Sequence, residues 1–125
     1  MFIQKFEDII AWQKAQDFTV EIYDLFASHK DYGFRDQICR SAISISNNIA
    51  EGFDRSSDAD FSRFLYIALG SCSEVKSMLY LAERSNYLPT EKKTYCLEQA
   101  NIISKIIRGL IKSLATGKAL KKRNI

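Results

Sequence analysis

The stretch "FSRFLYIALGSCSEVKSMLYLA", residues 61–82, decides the fold that we predict for this chain. Its apolar residues recur every three or four positions, which is the period of one face of an α-helix. The main stripe consists of Phe61, Phe64, Leu65, Ala68, Cys72, Val75, Leu79 and Ala82. A stripe of this length would fill one side of the core of a helical bundle. We therefore predict a long helix that is capped by Ser57 or Asp58 and ends near Ser85.

The same helix has more apolar surface than one bundle would cover. Its surplus residues form two flanks, Tyr66, Leu69 and Tyr80 on one side and Ile67, Met78 and Leu81 on the other. Single exposed hydrophobic residues are common on protein surfaces, but six on one helix are less so. Gly70 and its small neighbours would let another backbone approach closely, which would compensate for the cost of about 1 kcal/mol of a helical glycine. We therefore predict that another copy of the chain covers these flanks.

Three further amphipathic helices surround this one in the sequence. We predict the first from about Asp8 to Ser28, the second from about Phe34 to Gly52, and the last from Thr90 onward. The predicted core face of the first helix is Trp12, Ala15, Thr19, Ile22, Tyr23 and Phe26. Gly33 is expected to be the turn residue before the second helix, and Gly52 is expected to stop it. Short loops between four such helices are typical of an all-α, up-down-up-down antiparallel four-helix bundle. We predict this domain over residues 1–117, followed by a basic tail at 118–125.

The composition places the chain among ordinary globular proteins. It has 125 residues, of which 46% are hydrophobic and 26% charged, and it has no apolar run long enough to span a membrane. The start of the chain does not have the pattern of a signal peptide. Cys39, Cys72 and Cys96 are odd in number and fall on apolar helix faces, which favours buried, reduced thiols. We therefore expect a cytoplasmic protein.

The charge is distributed unevenly along the chain. Residues 1–98 contain 11 Lys or Arg against 15 Asp or Glu, whereas residues 99–125 contain seven basic residues and no acid. These basic residues are Lys105, Arg108, Lys112, Lys118, Lys121, Lys122 and Arg123. The predicted apolar face of the last helix is Cys96, Ile103, Ile106, Ile107, Leu110 and Leu114. The first three cations are predicted to line up on the side opposite Ile103, Ile106, Leu110 and Leu114. They should therefore face away from the bundle and from the apolar flanks.

Such a basic surface is a candidate for contact with nucleic-acid phosphates. Lysine-rich ends are also common in solvated tails, and no aromatic residues are interleaved with these cations in the sequence.

Signatures of catalysis and of metal binding are absent from the sequence. The single histidine, His29, has no companion at metal-ligand spacing and is expected to be a solvated surface residue. The chain contains no C-x-x-C pair, no phosphate-binding glycine loop and no G-x-S-x-G motif. We therefore expect neither an enzyme nor a cofactor, a metal or a small-molecule substrate.

Polar residues also occur on the otherwise apolar second and third helices. They are Arg40, Asn48, Glu51, Arg63, Ser71 and Glu74. Buried polar groups must be paired, so we interpret these residues as hydrogen-bonded contacts between the two helices or between subunits. A ligand site is the alternative interpretation.

Three segments resemble a known family in order and spacing. They are "FEDIIAWQKA" (residues 6–15), "RSAISISNNIAEG" (40–52) and "FSRFLYIALGSCSEV" (61–75). They resemble the bacterial four-helix bundle proteins first noted as open reading frames in intervening sequences of 23S ribosomal RNA genes. The resemblance implies a ring-like homopentamer. Ser46 stands where this family usually has a proline, so a bend of the second helix is expected to be slight at most.

A relative in this resemblance is the accessory protein of diversity-generating retroelements, which binds a reverse transcriptase and nucleic acid through a basic surface. Two hypotheses for the function follow. In the first, the chain is a non-enzymatic homopentamer that binds structured RNA, or DNA, through its basic surface. In the second, it is a structural adaptor whose main partner is another protein such as a reverse transcriptase. The sequence leaves both open.

Overall fold

The computed structural model describes residues 2–117, which form four α-helices and no strand. A short 3-10 helix, Phe6–Asp8, precedes them. The α-helices are α1 (Ile10–Phe26), α2 (Tyr32–Phe53), α3 (Asp58–Arg84) and α4 (Thr90–Ala115). Each helix packs against the next in the sequence, and α4 closes the ring against α1, so α1 and α3 lie diagonally opposite each other. The predicted all-α four-helix fold is confirmed for this part of the chain.

The core side of α3 is the side that the sequence predicts. All eight residues of the predicted stripe are buried, the most exposed being Phe64 at 6%. The hydroxyl oxygen of Ser57 accepts a hydrogen bond from the backbone N–H of Asp60 at 3.1 Å, which caps the helix as predicted. The stripe succeeds as a prediction because its residues are all apolar and recur at helical spacing without interruption.

The buried side of α1 and the start of α2 differ from the prediction. Phe18 is buried in α1, whereas Tyr23, a predicted core residue, is 39% exposed. Gly33 is not a turn residue but lies within the first turn of α2. The carboxylate of Asp31 accepts the N–H of Phe34 at 3.1 Å, so this N-cap starts the helix before the glycine.

Gly52 does not stop α2, because the helix continues to Phe53. Its function is to let two helices approach closely. A Cβ atom at this position would lie 2.5 Å from the Cβ of Phe64 and 3.2 Å from the ring of Phe61. Only a residue without a side chain fits between α2 and α3 at this point.

Ser46 lies within an uninterrupted α2 and is 1% exposed. Its hydroxyl donates to the carbonyl of Ile43 at 3.4 Å and accepts from the side-chain amide of Gln16 in α1 at 2.9 Å. Serine favours turns, but it is accommodated in this helix because its hydroxyl both donates and accepts a hydrogen bond.

The buried side of α4 is rotated relative to the prediction. The predicted Cys96, Ile103, Ile107 and Leu114 are buried, whereas the predicted Ile106 and Leu110 are only partly buried. Ala100, Ser104 and Ile111, which were not predicted, are buried as well. Small residues and a serine fit where α4 lies close to α3, and the Ser104 hydroxyl is satisfied by the Cys72 sulfur at 3.2 Å. This rotation determines the direction in which the basic residues of α4 point.

The three cysteines are free and buried, as predicted. Burial raises the pKa of each thiol, to about 11 for Cys96. Within residues 2–117 no helix is long and apolar enough to cross a membrane.

Candidate nucleic-acid interface

The described basic residues near the end of the chain lie on the surface of α4. Lys105, Arg108 and Lys112 are all exposed, and none of them forms an ion pair with another residue of the range 2–117. Residues 99–115 contain no acid, so no carboxylate of α4 in this segment neutralises them. The other predicted nucleic-acid-binding residues, Lys118, Lys121, Lys122 and Arg123, lie outside the described residues.

Two of these cations face a groove rather than open solvent. Arg108 and Lys112 line a cavity of about 370 Å³ between α3 and α4, which we call the α3–α4 groove. Its remaining lining residues are Tyr66, Leu69, Ile111 and Ala115. The prediction that Arg108 and Lys112 face away from the apolar flanks is therefore wrong. Because Ile111 rather than Leu110 is buried, α4 turns Arg108 and Lys112 toward Tyr66 of α3.

The two flanks of α3 face different neighbours. Tyr66 and Leu69 line the groove toward α4, and the ring of Tyr80 lies 5.2 Å from the Lys93 ammonium of α4. The other flank lies on the side of α3 that faces α2. Its residues Ile67, Met78 and Leu81 alternate at three- and four-residue spacing with Ser71 and Glu74, which contact α2.

Exposure differs within each flank. Tyr66 is 60% exposed, Tyr80 53%, Leu81 52% and Ile67 43%, whereas Leu69 and Met78 are partly buried against the core. Of the six flank residues that were predicted to be surplus apolar surface, four are therefore exposed in the single chain.

Half of the predicted polar network joins α2 to α3. The Ser71 hydroxyl donates to the Ser44 hydroxyl oxygen at 2.8 Å, and the Asn48 amide donates to the same oxygen at 2.9 Å. The Gln37 amide donates to the Glu74 carboxylate. Ser44 and Gln37 were not predicted as members, although Ser44 lies one helical turn before Asn48, which is a signal that the sequence contains.

The other three predicted members do not join this network. Glu51 pairs at 3.1 Å with Arg55 in the loop that follows α2, and Arg63 pairs with Asp60 within α3 at 3.6 Å. Arg40 is exposed and lines a separate cavity between α1 and α2. These three are surface residues because they lie on the outer sides of their helices.

His29 packs against neighbouring side chains and is not the solvated surface residue that the sequence predicts. Its ring is half-buried and lies 4.2 Å from the ring of Tyr87, while its Nδ1 accepts the N–H of Asp31 at 3.1 Å. The Tyr87 hydroxyl donates to the Asp31 carboxylate at 2.6 Å and thereby lowers the pKa of that carboxyl. These contacts join the α1–α2 loop to the α3–α4 loop. Residues 2–117 contain no cluster of three or more His, Cys, Asp or Glu side chains that could hold a metal ion.

Comparisons with known proteins agree with this architecture. The sequence profile of the family described as 23S rRNA-intervening sequence protein matches residues 7–109. A crystal structure of a protein of unknown function from the S23 ribosomal protein family of Bacteroides thetaiotaomicron is similar, with a TM-score of 0.78 and 31% sequence identity. The match covers 82% of this chain and 99% of that one. Among curated proteins there is no significant match. The chain belongs to the family of 23S rRNA-intervening sequence proteins.

Proposed function

We propose that this protein is a non-enzymatic four-helix bundle that binds structured RNA through the basic surface of α4. The observation that carries the proposal is the set of Lys105, Arg108 and Lys112, which are exposed and have no carboxylate partner among residues 2–117. Cations without a local partner are available to replace the counterions of a phosphate backbone. Because phosphate contacts carry little sequence information, DNA of similar shape is a second substrate in this proposal. The buried free thiols support a location in the reducing cytoplasm.

We also propose that the protein self-associates through the outer side of α3, as a ring of five subunits in line with the family resemblance. Ile67 and Leu81 are 43% and 52% exposed on this side. Gly70 lies between them in the sequence, and a Cβ added there would meet no atom within 4 Å. A helical glycine costs about 1 kcal/mol relative to alanine, and nothing in the same chain packs against it. Close contact with a helix of another subunit would compensate for this cost.

In a ring, each basic stripe recurs once per subunit, so the stripes act together on one polyanion. This property supports tight binding by a surface that has only a few cations per chain.

RNA binding can be tested by fluorescence anisotropy with a labelled structured RNA at several salt concentrations. The affinity of the parent protein should fall steeply as salt rises. The triple variant Lys105→Gln, Arg108→Gln, Lys112→Gln should bind more weakly, and its salt slope should flatten by about 0.9 per lost phosphate contact. A matched control is Lys14→Gln, Lys30→Gln, Lys92→Gln, which removes the same charge from exposed positions elsewhere. Equal weakening by both triple variants would show that only net charge matters and would contradict the proposed site.

Self-association can be tested separately by light scattering on the size-exclusion peak. The mass should be a multiple of 14.3 kDa in the parent and should fall in Ile67→Lys, Leu81→Lys. Because both side chains are substantially exposed in the single chain, the charged variant should keep its helicity. A parent mass near that of one chain would contradict the assembly.

A second candidate function is that of a structural adaptor whose main partner is another protein such as a reverse transcriptase, as for the retroelement accessory protein. The exposed apolar side chains of α3 favour this candidate, since they would suit a foreign protein surface as well as a second copy. Unchanged RNA affinity in the Lys105, Arg108, Lys112 variant would favour the adaptor over the RNA-binding protein.

A further inference from the structure

The α3–α4 groove differs from the cavity between α1 and α2, which also has a tyrosine and two arginines but includes the carboxylate of Asp36, paired with Arg35. It has an exposed aromatic ring on one wall, two cations on the other and an apolar floor. Its volume of about 370 Å³ lies within the range of about 300–1,000 Å³ that is usual for ligand sites. The groove is open along one side, so it would suit a segment of a longer chain molecule rather than an enclosed metabolite.

The ring of Tyr66 is free for a ligand. It is 60% exposed, and among residues 2–117 no cation lies over it and no other aromatic ring contacts it. Tyr80, about four helical turns further along α3 on the same flank, is different. The Lys93 ammonium lies 5.2 Å from the centre of its ring. Of these two exposed tyrosines, only Tyr66 has an uncovered face beside the groove.

The cations of the groove are equally free. The four cations that lie over an aromatic ring in residues 2–117 each have a carboxylate partner, namely Arg35 with Asp36, Arg55 with Glu51, Arg63 with Asp60, and Lys93 with Glu83. Arg108 and Lys112 have none within the same range. They lie one helical turn apart on α4, so their charges point into the same space.

The surroundings of the groove favour an anionic ligand. The segments that form its walls, residues 61–73 of α3 and 99–115 of α4, contain no Asp or Glu. The acids at the start of α3 are Asp58 and Asp60. Asp60 pairs with Arg63, and Asp58 lines an adjoining depression with Leu114 and Ala115. The anionic part of a ligand is therefore expected beside Arg108 and Lys112 and not at that end. The floor, Ile111 at 9% exposure and the partly buried Leu69, would contact an apolar or aromatic face.

We propose that the α3–α4 groove binds an unpaired nucleotide of a single-stranded nucleic-acid segment. The base stacks on the ring of Tyr66, and the adjacent phosphates contact Arg108 and Lys112. This inference rests on the proposed function and deepens it, because it specifies loops and single strands rather than duplex as the preferred part of the substrate. In a duplex the faces of the bases are covered by their neighbours, so they cannot stack on a side chain. Every base has such a face, so the groove accepts RNA and DNA with little sequence preference.

The test compares labelled hairpins that have the same stem and an open loop with the blunt duplex of that stem, each as RNA and as DNA. Anisotropy at fixed ionic strength measures the affinity of the full-length protein. The parent should prefer the hairpins. Tyr66→Ala should lower hairpin affinity by about 5- to 150-fold, the effect of losing one stacked base, and should leave duplex affinity and the salt slope unchanged. Tyr66→Phe keeps the ring and should retain the preference.

Tyr80→Ala is the matched control. It removes an exposed tyrosine from the same flank of α3, but the Lys93 ammonium already lies over the ring of that tyrosine. It should bind hairpins like the parent.

Three outcomes would overturn the proposal. Equal hairpin affinity of Tyr66→Ala and the parent would leave the proposed RNA binding intact and exclude the stacking site. A lower assembly mass of Tyr66→Ala in light scattering would show that a second copy of the chain occupies the groove. Failure of the parent to bind any of the four probes would remove the proposed function together with this inference.

Discussion

Helix α3 packs against α2 on one side and α4 on the other, and the two contacts are built differently. Toward α2, a Cβ at Gly52 would lie 2.5 Å from the Cβ of Phe64, and a chain of hydrogen bonds joins Ser71 to Ser44. Toward α4, the helices are joined near their loop by the ion pair of Lys93 with Glu83 at 3.2 Å. At the far end the α3–α4 groove is lined by residues of both helices.

The difference shows how side-chain size divides one helix into a structural side and an accessible side. A glycine and short hydroxyl side chains let the backbones of α2 and α3 approach closely, which leaves no space for a ligand. Tyr66 and Arg108 are too large and too polar to be enclosed between α3 and α4, so they form the walls of a groove. We therefore expect substitutions on the α2 side to change stability and substitutions on the groove side to change binding.

The largest expected effect is that of Gly52→Ala. The added methyl group would overlap Phe64, so the free energy of unfolding should fall by about 1–3 kcal/mol through overpacking. Urea denaturation monitored by circular dichroism measures this change. The control is Gly109→Ala in α4, where a Cβ would meet no atom within 4 Å. There the higher helix propensity of alanine should stabilise the fold by about 1 kcal/mol. Equal stability of the parent and Gly52→Ala would show that α2 and α3 are not in close contact here.

A smaller loss is expected for Ser44→Ala. Its hydroxyl oxygen accepts from both Ser71 and Asn48, so the substitution leaves two partly buried donors with one acceptor fewer. The cost should be about 1 kcal/mol in the same denaturation experiment. Ser73→Ala serves as the control, since Ser73 is exposed on the same helix as Ser71. If both variants were as stable as the parent, the polar contact between α2 and α3 would contribute nothing measurable.

A third, smaller effect concerns stability in acid and involves the ion pair of Lys93 with Glu83, which joins α3 to α4 near their loop. Hydrogen bonds from Thr90 and Lys93 hold the pKa of Glu83 below its ordinary value of 4.5. A carboxylate with a lowered pKa stabilises the fold above its unfolded-state pKa, and this contribution is lost as the pH falls through the folded-state pKa. Glu83→Gln should therefore reduce the difference in melting temperature between pH 7 and pH 3.

Glu98→Gln removes the same charge from an exposed position of α4 and is the control for the acid experiment. A loss of stability on acidification that is identical in the parent and Glu83→Gln would contradict the role of the ion pair.

The smallest effect on stability is expected in the groove itself. Arg108→Gln, Lys112→Gln removes two exposed cations that have no partner in the described chain, so the free energy of unfolding should change by no more than about 0.5 kcal/mol. A loss comparable with that of Gly52→Ala would show that these residues stabilise the contact between α3 and α4. The groove would then be a structural feature instead of a binding surface.

Prediction from the sequence succeeded where the apolar pattern was strong and failed where small residues carry the packing. The α3 stripe was predicted in full because an apolar residue marks every turn. The face of α4 was misjudged because Ala100 and Ser104 do not stand out as core residues in a hydrophobic pattern. They are buried because a short side chain fits where two helices lie close together. That one misjudged rotation also explains why Arg108 and Lys112 were expected on the opposite side from Tyr66.

The sequence by itself determined the number and order of the helices, the buried side of α3 and the acid-free, basic end of the chain, since each of these depends only on neighbouring residues. The tertiary structure alone decided that α3 leaves no space for a Cβ atom at Gly52 and that Tyr66 lines the same groove as Arg108 and Lys112. Residues far apart in the chain become neighbours only when the helices rotate to bury their apolar sides. The rotation that packs best is a property of all the contacting side chains together.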